Sequence, residues 1–149
     1  MEQEEQKKSG EEVLAEIYRN TQLAIQSISD ILPQVEDGDV KAEIMREHEE
    51  YERISGKASE LAHRLGVELK EPNAMKKAIM WSAIKMNAVT DNSDQHIAEM
   101  MIRGTVTGIT ALKTTKTDSR PIASEEVSQL LNELISLEEG FEKQLKKHL

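Results

Sequence analysis

The chain has 149 residues, a net charge of −9 and no cysteine. That length suits one domain with a sizeable core, and the missing thiols exclude disulfides, thiolate zinc centres, iron–sulfur clusters and cysteine nucleophiles. The negative charge argues against unspecific binding to DNA, RNA or anionic lipid, and no apolar run approaches the roughly 20 residues that span a bilayer.

The opening MEQEEQKKSG is acidic and polar. It is unlike a secretory or transit leader, so the expected location is cytoplasmic. Residues 1–9 are read as a disordered N-terminal tail and 10–149 as a single helical-bundle domain. The charge is uneven: residues 1–72 carry 18 acidic and 9 basic side chains, whereas 73–117 carry 3 acidic and 6 basic.

A first helix is predicted over 10–32, with Leu14, Ile17, Tyr18, Thr21, Ala24, Ile25, Ile28, Ile31 and Leu32 recurring on one face. Pro33 should stop it. A second helix, 39–65, has the heptad seam Val40, Ile44, Glu47, Tyr51, Ile54, Ala58, Leu61 and Leu65. Gly66 suits its left-handed cap.

Residues 73–116 also read as helix, but would measure about 66 Å if continuous. The run Thr90, Asp91, Asn92, Ser93, Asp94 is rich in helix-capping residues, so a break or kink is expected near 90–94, dividing 73–89 from 94–116. The second part is apolar on two faces. One stripe carries Ile97, Met101, Gly104, Gly108 and Ala111; the other carries Ile102, Val106 and Ile109. A last helix begins near 123 or 124, with the seam Val127, Leu130, Leu131, Leu134, Leu137, Phe141 and Leu145. The fold class is therefore all-α, an antiparallel four-helix bundle.

Glu47 occupies a core-facing position between Ile44 and Tyr51. A buried carboxylate must be partnered, protonated or near the surface. His48 is its neighbour, and His96 and Glu99 form a His-x-x-Glu on the third helix. Glu47, His48, His96 and Glu99 are the candidate metal ligands, for iron or manganese. Glu60 and His63 form a Glu-x-x-His but fall opposite the second seam, and read as solvated. Five of the seven methionines lie within 75–101, which suits core filling or an adaptable groove beside Trp81. Gly104 and Gly108, one turn apart, suggest a close helix approach. Nucleophilic, P-loop and dinucleotide fingerprints are absent.

Three stretches carry a resemblance: NTQLAIQSISDILPQVED (20–37), WSAIKMN (81–87) and HIAEMMIRGTVTG (96–108). In layout the chain resembles the ferritin-like superfamily, and in wording it is similar to uncharacterised proteins of Gram-positive anaerobic bacteria. The resemblance implies a fold and no activity. Thr21 stands on the first seam where the ferritin pattern has a glutamate, and Glu50 where it has a histidine.

The first reading of function is a non-catalytic bundle that acts by self-association or by binding a protein partner. It would be a homodimer, with no cofactor, through Trp81, Ile84, Ile102, Gly104, Val106, Gly108 and Ile109. The alternative is an iron- or manganese-binding ferritin-like protein with a reduced carboxylate/histidine site. A small-ligand-binding bundle, using the methionine-rich region, ranks third.

Overall fold

The computed structural model describes residues 2–70, 91, 93–119 and 124–149, with side chains for 10–70, 91, 93–118 and 124–149. Four helices make up the described chain: α1 Glu2–Ile31, α2 Asp39–Leu65, α3 Asp94–Ser119 and α4 Glu125–Lys146. No strand occurs among the described residues. The side chains of the expected polar tail and the predicted 73–89 segment, with Trp81 and Ile84, lie outside the described residues.

The helix ends follow the local chemistry. Pro33 closes α1 through a 3-10 turn, Leu32–Gln34, in which the Val35 N–H donates to the Leu32 carbonyl at 3.2 Å. Gly66 caps α2 at φ 69°, and the following Val67 N–H donates to the Ala62 carbonyl at 2.8 Å. Only glycine enters that left-handed region without a steric penalty. The Asp91 carboxylate accepts from the Ser93 N–H at 2.9 Å, and the Ser93 hydroxyl from the His96 N–H at 3.3 Å. These caps start α3 where the polar cluster was expected to start a helix. The Ser124 hydroxyl accepts from the Val127 N–H at the start of α4, and Glu125 and Glu126 favour the helix dipole there.

α1 packs along α2 and α3 along α4, while α2 meets α4, and α1 meets α3, less closely. The core between them holds Leu14, Ile17, Ile28, Ile31, Ile44, Ile54, Leu134, Phe141 and Leu145, all sealed from solvent. Most seam positions expected from the periodicity are buried. Leu65, at the end of α2, is 41% exposed, because Gly66 turns the chain away there. Val13 and Ile135 are buried beside the expected seams.

On α3 the buried stripe is Ile97, Ala98, Thr105, Ile109 and Leu112. It runs between the two predicted stripes and takes members from both. Val106 and Gly104 are exposed, and a Cβ added at Gly104 would meet nothing. Among the described residues none approaches Gly104 closely, whereas Gly108 does have a near neighbour.

Candidate functional site: a cavity floored by two carboxyl groups

Three helices bring polar groups to one point inside the bundle. Heptad spacing on α2 turns Glu47 and Tyr51 inward with Ile44 and Ile54, leaving Glu47 with no exposed surface. On α4, Glu138 stands four residues after Leu134 and three before Phe141. It shares their inward face and is 2% exposed. On α3, Gly108 makes room for that carboxyl: Glu138 Oε1 lies where a Cβ at position 108 would stand, with Asn20 Nδ2 3.1 Å from the same point. The Asn20 amide donates to the Gly108 carbonyl at 3.4 Å, tying α1 to α3 at this level.

These groups border a half-open cavity of about 350 Å³ between α1 and α3. Its walls are Leu23, Ala24, Ile28 and Ile31 from α1 and Met100, Met101, Gly104 and Ala111 from α3. Glu47, Tyr51 and Glu138 reach it from α2 and α4, and Arg19 and Arg103 line it as well. The volume falls in the range of pockets for small organic ligands. The cavity is left where the small residues Ala24, Gly104, Gly108 and Ala111 and the flexible Met100 and Met101 face one another across α1 and α3.

Both oxygens of Glu47, and Oε2 of Glu138, are buried without a hydrogen-bond partner among the described residues. An unmade hydrogen bond of this kind costs about 1–3 kcal/mol, and more for an ionised group. Burial pushes the Glu47 carboxyl up to about 8; the negative charges of Glu43 and Glu138 add to this, and Arg46 opposes it. Burial likewise pushes Glu138 up to about 8, with the Tyr51 hydroxyl opposing. Burial and the two nearby carboxyls raise the Tyr51 phenol well above its usual range, so it keeps its proton. Both carboxyls therefore hold protons at neutral pH. The rings of Tyr51 and Phe141 meet at 5.4 Å, and the Arg46 guanidinium lies 5.4 Å above the Phe141 ring, fixing this floor.

The four sequence-predicted metal ligands do not gather. His48, half-buried at the edge of α2, shares a hydrogen bond with Ser29 at 3.3 Å and pairs with Glu52 at 3.1 Å. His96 and Glu99 are half-buried near the start of α3. No group of three or more His, Cys, Asp or Glu among the described residues is placed to hold a metal ion. Glu60 and His63 are exposed, as expected. Of the predicted interface, Ile109 is buried, Ile102 and Gly108 are half-buried, and Gly104 and Val106 are exposed. Glu47 lies inside, as its seam position predicts, whereas Glu138 is not among the seam residues predicted for the last helix. The signal was there: Leu134, Glu138, Phe141 and Leu145 recur at helical spacing.

Comparison with protein-family models, curated proteins and solved structures finds no match. Among the described residues, no helix is long and apolar enough to cross a membrane.

Proposed function

We propose that this protein is a small-molecule-binding bundle, and that its ligand occupies the cavity between α1 and α3. The observation that carries this reading is a mostly apolar cavity of about 350 Å³ with Glu47 and Glu138 buried and unsatisfied at its floor. Apolar walls with a few convergent polar groups are the usual make-up of a ligand site: the walls supply affinity and the polar groups set orientation. Buried polar groups without partners work against stability, and a ligand that satisfies them offsets that cost.

Neutral apolar probes test the reading. N-phenyl-1-naphthylamine should bind saturably, in one-to-one proportion, with a rise in its fluorescence. Ala24→Trp, which fills the cavity from α1, should abolish the rise while the helical circular dichroism is retained. A wild-type chain that takes up no such probe, or an Ala24→Trp variant that binds as well as wild type, would overturn it.

Association of two copies is the second reading. It rests on Val106, 41% exposed on α3, with half-buried Ile102 one turn earlier. A Val106→Glu variant that sediments as wild type does would remove it. An iron or manganese site at Glu47 would need ligands beyond Glu138, and draws no support from His48, which is bonded to Ser29 and Glu52.

A further inference from the structure

We infer that the cavity takes a primary alkylammonium ion, its chain lying between α1 and α3 and its head between Glu47 and Glu138. The inference rests on the cavity's being a ligand site, and names the ligand's chemistry.

The floor and the walls make different demands. At the floor, three buried oxygens lack partners among the described residues: Oε1 and Oε2 of Glu47 and Oε2 of Glu138. All three are acceptors when the groups are ionised, and a primary ammonium carries three N–H donors and no acceptor. Donors and acceptors match in number, and charge-assisted bonds of this kind are the strong ones. An alcohol brings one donor and leaves oxygens unsatisfied. A carboxylate brings none and adds a like charge. A guanidinium brings five donors, more than the floor accepts. The walls ask for an apolar body: Leu23, Ala24, Ile28, Met100 and Met101 offer no hydrogen-bonding side chain, and Asn20, Ser27, Thr105 and Thr107 already donate to backbone carbonyls. The methionines can follow the shape of a flexible chain.

The other charged and titratable groups around this floor are few. α2 adds Glu43 and Arg46, which are paired with each other at 2.7 Å, and Tyr51. α1 contributes Arg19, paired with Glu16. α3 contributes Arg103, which is exposed. Arg19 and Arg103 oppose a cation in the cavity. They are more exposed to solvent than the carboxyls, so their effect is screened and the desolvated pair dominates. The net charge of −9 also favours the approach of cations.

Proton balance gives the binding a signature. The free carboxyls hold their protons near neutral pH, and the bound ammonium needs them ionised. Binding therefore releases protons to solvent, and affinity rises with pH by up to about tenfold per unit for each proton released. The rise ends near pH 8, where the free carboxyls are ionised. The amine itself stays charged to about pH 10.

Calorimetric titration of the full chain with octylamine, octanol and octanoate tests the inference. At pH 8 octylamine should bind at least about tenfold tighter than either of the others, a difference of about 1.4 kcal/mol. Its affinity should fall as the pH is lowered to 6.5, with proton release seen as a dependence of the heat on the buffer. Glu47→Gln and Glu138→Gln keep the shape and remove the charge. Each should weaken octylamine about tenfold or more and change octanol binding by less than about threefold. Their melting curves serve as the check that the fold is intact. Octanol binding as tightly as octylamine, or octylamine binding unchanged in both folded variants, would overturn the inference and leave the cavity a ligand site. Failure of all three probes to bind would overturn the ligand site as well.

Discussion

Between α2 and α4 the rings of Tyr51 and Phe141 meet at 5.4 Å, and Arg53 and Lys57 reach across the outer edge to Glu133 at 2.8 and 3.1 Å. Between α1 and α3 the facing residues include Ala24, Met100, Met101, Gly104 and Gly108 beside Leu23, Ile28 and Ile31, and a cavity is left. The contrast shows in two carboxyls five residues apart on α4. Glu133 lies on the outer edge among cationic donors, and bonds from Arg53 chiefly, then Lys57, hold it below the usual carboxylate range. Glu138 faces inward, and burial raises it. One residue type on one helix is thus driven in opposite directions by what packs against it. The closed flank is filled by large rings and edged by ion pairs. The open flank retains buried polar groups without partners, which lower stability.

The largest expected effect breaks the closed flank. Phe141→Ala removes the ring that supports both Tyr51 and Arg46, and should cost about 3–5 kcal/mol in urea unfolding. Met101→Ala, half-buried on the open flank, should cost under about 1 kcal/mol, because its side chain has neighbours on fewer sides. Equal costs would mean that the two flanks are packed alike.

The next effect is pH dependence. Glu47 and Glu138 have folded-state values near 8 against an ordinary 4.5. The folded chain therefore holds protons that the unfolded chain has lost, and stability falls as pH rises from about 4.5 to about 8. Above that window the two states are ionised alike and the contribution is flat. The ceiling is about 1.4 kcal/mol per pH unit for each group. Beside a solvent-accessible cavity a total of about 2 kcal/mol is expected. The double variant Glu47→Gln/Glu138→Gln should remove most of that slope in melts across the window. Glu133, with its lowered value, works the other way: its contribution is present above the ordinary 4.5 and is lost as pH falls through the folded-state value.

Smaller effects sharpen the comparison. Gly104→Ala adds a methyl group into open space and should stabilise by about 0.5–1 kcal/mol through helix propensity. Gly108→Ala pushes on the Glu138 carboxyl, so its gain should be smaller or reversed. The deficit should disappear in a Glu138→Ala background, which a double-mutant cycle by thermal unfolding reads directly. Glu133→Gln removes half-exposed ion pairs and should cost less than about 1 kcal/mol, vanishing in high salt.

Much of the fold was legible because the signals were local and periodic. Pro33, Gly66 and Ser124 mark helix ends by their own backbone and capping chemistry, and the seams of α1, α2 and α4 follow a helical repeat. The face of α3 was harder to read. Its residues are small or β-branched on every side, so apolarity alone did not distinguish Thr105, buried, from Val106, exposed. Glu47 was legible because Ile44 and Tyr51 bracket it on a strong seam. That the charge of Glu138 acts on it was not, since that depends on how α2 and α4 align, and alignment lies in tertiary packing. The cavity too is a property of two facing helices, and no single stretch of sequence encodes it.

The most direct test of the central claim is a carbon-13 NMR titration of the glutamate side-chain carboxyls, assigned through Glu47→Gln and Glu138→Gln. Two resonances, lost one in each variant, should stay in the protonated form well above the ordinary carboxylate range and titrate near pH 8. If every glutamate carboxyl titrates near its ordinary value of 4.5, Glu47 and Glu138 are solvated or paired, and the cavity floor described above does not exist.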